Sequence, residues 1–188
     1  YGGYPCGALR HKFLLAQESR VEPLTESVLP DGWRIIPLPG HFFDMVGFRT
    51  ADDVVYLADC LSIQQTLKKY QIGFIYDVAA YLQTLERVKA MRAALFIPAH
   101  AAPAKDIAPL AQANIDKVNE VAEKIVSFCI EPLCFEQILQ RLFTTYGLTM
   151  TFEQYALVGS TVRSYLSWLC DAGRVEAVFE NNLLLWKK

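Results

Sequence analysis

The chain has 188 residues, 53% of them apolar, and its 18 Lys and Arg against 20 Asp and Glu leave a formal charge of −2. That length and composition suit one ordinary core or two small domains and exclude a disordered chain. The slightly acidic balance argues against a protein built to neutralise phosphates, and no run of about 20 apolar residues offers a membrane span. The five cysteines, Cys6, Cys60, Cys129, Cys134 and Cys170, form no Cys-x-x-Cys pair. With no segment resembling a signal peptide, they read mostly as small core thiols in a reducing cytoplasm. The chain opens Tyr1-Gly2-Gly3-Tyr4 rather than with Met, and residues ahead of it are expected to have been lost.

Trp33 to Pro37 follows an Asp31-Gly32 turn, and the polar link Thr50 to Asp53 joins Val46 to Arg49 to the run Val54 to Ala58. These segments read as strands separated by turns. Ser62 is expected to cap a short helix ending near Tyr70. Asp77 caps a second one, in which Val78, Tyr81, Leu82, Leu85 and Val88 recur at helical spacing. A further strand covers Ala94 to Ile97 and closes at Pro98. From Asp106 onward, Leu110, Ile115, Val118, Val121, Ile125 and Phe128 stripe a long helix, with Pro109 tolerable in its first turn. This helix is expected to connect a first domain, residues 1–105, to a second unit within residues 106–188.

In the second unit Phe135, Ile138, Leu139, Leu142 and Phe143 share one helix face, and Gly147 can end that helix in a left-handed conformation. Thr151 and Gln154 have capping-box spacing for the next helix. Val162, Tyr165, Leu166 and Leu169 stripe a third, ending at Gly173. Val175 to Phe179 and Leu183 to Trp186 flank Glu180-Asn181-Asn182, where asparagine tolerates positive φ in a hairpin. Three helices and a terminal hairpin make a winged-helix topology. Trp33, Trp168 and Trp186 lie in strand or helix patterns and read as core.

Of the three histidines, His41 directly follows Pro39-Gly40, and His100 follows Pro98-Ala99 at the end of a strand. Strand ends leading into loops are where such folds place functional side chains. Between them Asp59 ends an apolar run, where a carboxylate is expensive to bury without a cation or donors. Imidazole and carboxylate together suit zinc, and iron or manganese less specifically. Each residue also has a plainer reading, the histidines as capping or core-polar groups and Asp59 as the cap of the helix behind it.

Order and context favour the ligand reading. Leu38-Pro39-Gly40-His41, Leu57-Ala58-Asp59 and Ile97-Pro98-Ala99-His100 resemble the later motifs of the metallo-β-lactamase superfamily. The resemblance covers Tyr1 to about Lys105. It implies that His41, Asp59 and His100 are metal ligands and that the fold is α+β: half of an αββα sandwich, followed by a small helical winged-helix-like domain. The part after residue 105 is similar to the C-terminal appendage of several hydrolases in that superfamily. Ala58 and Ala99 stand where glycine is common, and Phe42-Phe43-Asp44-Met45 where many members carry a second glycine-histidine pair. Phe42 and Phe43 are candidates to line the substrate mouth as well as to pack beneath it.

The superfamily's first ligand motif, His-x-His-x-Asp-His, is absent, and His11 has neither the second histidine nor the acid around it. The resemblance implies two zinc ions in an intact site, yet here each would keep one histidine plus the shared Asp59. Two protein ligands fall short of the three or four that hold zinc, so the chain alone is expected to be metal-free and inactive. The intact protein is expected to hydrolyse a small-molecule ester, thioester or phosphodiester, or an amide, by a metal-activated hydroxide. A lone half-sandwich exposes an apolar sheet face and an open edge, which implies a homo-oligomer or a retained N-terminal segment. Two other classes compete. One is a nucleic-acid-binding protein using the winged helix; against it, acidic residues from Ile130 onward outnumber Arg141, Arg163, Arg174, Lys187 and Lys188. The other is a non-catalytic interaction module.

Overall fold

Four short apolar segments with alternating side chains set the first layer. In the computed structural model, which describes residues 4–10 and 18–188, these are β1 (Arg34–Pro37), β2 (Val46–Arg49), β3 (Val54–Tyr56) and β4 (Leu95–Ile97). They form one sheet in the order β1-β2-β3-β4. β1, β2 and β3 are antiparallel neighbours, whereas β3 and β4 pair parallel. A parallel pair needs a crossover, and residues between the two strands supply it as α1 (Gln64–Tyr70) and α2 (Val78–Ala90). Asp77 caps α2 by accepting the Ala80 N–H at 2.9 Å.

Beyond the sheet come α3 (Ala108–Phe128), α4 (Phe135–Tyr146), α5 (Phe152–Asp171) and a hairpin of β5 (Glu176–Glu180) and β6 (Leu183–Lys187). Gly147 ends α4 at φ 63°, and the Thr151 hydroxyl accepts the Gln154 N–H to start α5. Asn181 and Asn182, both at positive φ, turn the hairpin. The fold is thus α+β.

One sheet face is covered. Leu38, Val55, Leu57 and Phe96 join Val78, Leu85 and Val88 of α2 and the Ile115 and Val118 side of α3. That core continues without a break into Ile138 and Leu142 of α4 and Val162, Leu166 and Leu169 of α5. Among the described residues no helix covers the other face. Trp33, Phe48, Tyr56 and Ile97 line an apolar groove of about 350 Å³, in which Trp33 stacks on Tyr56 with ring centroids 6.3 Å apart. Trp33 therefore sits outside the core expected for it, while Trp168 and Trp186 pack against that core. Strand alternation places a side chain on one face or the other but does not say which face is covered.

The chain departs from expectation at three further points. The strand expected over Val54 to Ala58 ends at Tyr56, because Ala58 takes a left-handed φ of 45°. Ser62 does not cap α1; Ile63 stands at the cap, and the Asn114 side chain holds both backbone groups of Ser62. The two helices expected after Thr151 are a single one, α5. Gly159 inside it is buried where an added Cβ would lie 3.4 Å from Phe135 and 3.8 Å from Leu139. These are ordinary van der Waals distances, so the glycine, which costs a helix roughly 1 kcal/mol relative to alanine, does not break α5.

Candidate functional site

Parallel pairing of β3 and β4 builds half of the site. Tyr56 lies opposite Ile97, and the chains run on side by side. Leu57 donates its N–H to the Ile97 carbonyl at 3.0 Å, and Ala99 donates to the Ala58 carbonyl at 3.0 Å. Asp59 and His100, each three residues beyond the last paired position, therefore arrive together, with His100 Nε2 at 3.1 Å from Asp59 Oδ1. The turn at Ala58 aims the carboxylate, and both side chains are solvent-accessible, 46% exposed for Asp59 and 66% for His100. The adjoining Cys60 is fully buried. Burial first, and the Asp59 charge second, push its thiol up to about 12, so Cys60 packs as a neutral side chain and is no nucleophile.

His41 is held by different means. Gly40 has φ 125°, and a Cβ on it would come within 2.3 Å of the Tyr81 backbone. Only glycine lets the loop lie directly on α2. Hydrogen bonds then clamp the loop. Thr84 Oγ1 donates to the Pro39 carbonyl at 2.7 Å, and the Tyr76 and Asp77 N–H groups donate to the Gly40 carbonyl at 2.9 and 3.0 Å. The clamp is itself anchored by α5, where Thr161 Oγ1 accepts the Ile75 N–H at 3.1 Å and Ser164 Oγ donates to the Tyr76 carbonyl at 2.8 Å. The half-buried His41 ring meets the Phe74 ring edge-on at 5.6 Å and lines, with Asp59, a small cavity. Phe42 and Phe43, about half exposed, cluster with Tyr76 at the surface beside it.

All three candidate ligands therefore gather at one end of the sheet, while His11 lies outside the described residues. The His100–Asp59 spacing is close to that of two donors on one tetrahedral ion with bonds of about 2.0–2.2 Å. Among the described residues, however, no three His, Cys, Asp or Glu side chains come together to hold a metal. By themselves the donors of the described residues do not make up a zinc centre. The supports of the His41 loop, Thr84 and Thr161, were not legible as site residues. They carry one signal, that each is a polar residue fully buried on an apolar helix face.

No protein-family model matches the sequence, and no curated protein matches it. Solved structures do. A metallo-β-lactamase family protein from Thermus thermophilus superposes with a TM-score of 0.62 at 16% identity, over 85% of this chain and 54% of its own. A β-lactamase domain protein from Burkholderia ambifaria gives a TM-score of 0.69 at 16% identity, over 93% of this chain and 53% of its own. The chain spans about half the length of the solved structures it matches. At that identity the likeness establishes architecture: most of this chain corresponds to about half of a metallo-β-lactamase fold.

Proposed function

We propose that this chain forms one side of the active site of a hydrolase acting on an ester, thioester or phosphodiester, and that it stays inactive until donors from outside its sequence complete the site. The observation that carries this reading is the meeting of Asp59 and His100 at 3.1 Å beside a cavity that Asp59 shares with His41. The fold likeness supplies the hydrolase class. Zinc is the ion expected in the completed site, with iron or manganese as alternatives. Phe42 and Phe43 supply apolar contact surface for the substrate at the mouth of the site.

The sheet face that no described helix covers belongs to the same proposal. An open apolar groove of about 350 Å³ lined by Trp33, Phe48 and Tyr56 is the kind of surface that marks an interaction site. A second copy of the chain, or an N-terminal segment of the same fold, covers it in the working protein. The five thiols are all free, in keeping with a reducing cytoplasm, and no helix among the described residues is long and apolar enough to cross a membrane.

The test compares three samples for metal content and for hydrolysis of generic esters and phosphodiesters: a protein containing the complete fold, its Asp59→Ala variant, and this chain. About two ions per complete protein, with ions and hydrolysis both lost in Asp59→Ala and both missing from this chain, uphold the proposal. A complete protein that is metal-free and inert overturns it in favour of a non-catalytic interaction module.

A further inference from the structure

A groove adjoins the small cavity that His41 and Asp59 line. It encloses about 280 Å³ between α1, the turn that follows it and the first half of α5, with Thr66, Leu67, Tyr70, Phe74, Leu157 and Val158 among its walls. Leu67, Gln71, Gly73 and Phe74 line groove and cavity alike, and the Phe74 ring meets the His41 ring edge-on at 5.6 Å. The groove thus begins one aromatic ring away from a candidate ligand.

Its walls are fixed from outside. The Asn114 side chain of α3 holds both backbone groups of Ser62, just ahead of α1, and Thr161 of α5 holds the turn at Ile75. At the joint between groove and cavity, Gln71 takes φ 60° and ψ −49°, and the Ile72 N–H donates to the Tyr70 carbonyl at 2.6 Å. This is a γ-turn of the rare, strained kind. Such strain gathers where ligands bind.

The lining chemistry selects the ligand. Every described residue along the groove is uncharged: apolar side chains of α1, the turn and α5 form much of the wall, and its polar side chains carry hydroxyls and carboxamides. Asp59 and Lys117 line the neighbouring cavity but not the groove. A phosphodiester strand would bring charge into a groove whose described lining has no cation to match it. A neutral hydrocarbon chain meets no such cost and gains from each apolar contact. At about 30 Å³ for each water-sized group, the space holds a chain of roughly six to nine carbons.

We infer that this groove binds a neutral, apolar chain of the ester or thioester substrate and so determines which substrates the completed site accepts. Its role in selection rests on the hydrolase reading above, whereas the binding itself does not. The scissile bond lies at the Phe74 end, and Thr66, Tyr70 and Leu157, which line the groove but not the cavity, face the distal carbons.

Acetamide, butanamide and hexanamide are the probes, titrated into the 188-residue chain and followed by amide chemical shifts. Saturable shifts are expected over residues 66–74 and 154–158, with affinity rising about two- to fourfold for each added methylene. Leu157→Lys, at a position 38% exposed, sets a cation in the groove and should weaken hexanamide by about tenfold. Gly73→Trp should do the same by bulk, since a Cβ there meets no atom within 4 Å and the fold can carry it. Leu184→Lys, on the β5–β6 hairpin, should change nothing. Affinity that does not rise with chain length, binding unaltered in both groove variants, or a short single-stranded oligonucleotide shifting the same amides overturns the inference. In a protein containing the complete fold, a hexanoyl or a hexyl ester should be preferred over its two-carbon counterpart, which tells whether the acyl or the alcohol side enters, and Gly73→Trp should erase the preference. Probe binding beside an inert complete protein defeats only the hydrolase reading. Hydrolysis indifferent to chain length, with no probe bound, defeats only the groove.

Discussion

The two arms of the candidate site are assembled by different physics. Asp59 and His100 continue two paired parallel strands, so the register Tyr56↔Ile97 delivers both with only backbone bonds between them. His41 instead rides on a loop that would wander without outside support. Its carbonyls are tied to α2 and the 76–77 turn, and that turn is tied to Thr161 and Ser164 of α5. Helix α5 is thus part of the scaffold for the first histidine, whereas the second is placed by the strand ladder. A buried loop must have every backbone group answered, whereas a ladder answers its own.

The largest effect is expected at Gly40, where positive φ coincides with a 2.3 Å approach to Tyr81. Gly40→Ala should cost about 3 kcal/mol, read as a lowered midpoint in a urea titration. A loss under about 1 kcal/mol would mean that the loop is not pressed onto α2 as described. Next comes Thr161→Val, which strips the buried Ile75 N–H of its acceptor and should cost about 1–3 kcal/mol. Here the sharper readout is the pair of imidazole signals in the proton spectrum. Those of His41 should move and those of His100 stay, and equal movement of both would dissolve the distinction between the arms.

Ala58→Gly works in the opposite direction. Relief of a left-handed alanine is worth about 1–2 kcal/mol, offset by about 0.5–1 for glycine's greater freedom when unfolded. A net gain in midpoint is expected, with the His41 signals unchanged.

The smallest effect is a baseline that belongs to neither arm. Burial alone would raise the Glu120 carboxyl, but hydrogen bonds from Lys117 and Tyr146, together with the charges of Lys117 and Lys124, lower it below its ordinary 4.5. A depressed carboxyl contributes stability that is present above pH 4.5 and lost as pH falls through the folded value. Since the pair is part exposed, Glu120→Gln should flatten the acid limb of a stability-against-pH curve by only about 0.2–1 kcal/mol.

Much of the local structure was legible residue by residue. The Asp77 cap, the Gly147 stop, the Thr151 start and the Asn181-Asn182 turn each follow from side-chain chemistry within a few positions. The site was legible as a set of candidates, because His41, Asp59 and His100 stand at the ends of apolar runs. The meeting of Asp59 and His100 was not, since it depends on β3 and β4 pairing across the whole crossover of α1 and α2. Asn114, Thr84 and Thr161 were passed over because a polar residue in an apolar stripe looks like an interruption until its distant partner is known.

By itself, then, the sequence determined the elements, their caps and the side chains able to do chemistry, all of which depend on interactions within a turn or two of the chain. Only the tertiary structure decided which sheet face is covered, that α5 is one helix, and that Asp59 and His100 meet at the end of the sheet. These depend on burial and on hydrogen bonds between residues far apart in the chain, whose partners local periodicity does not specify.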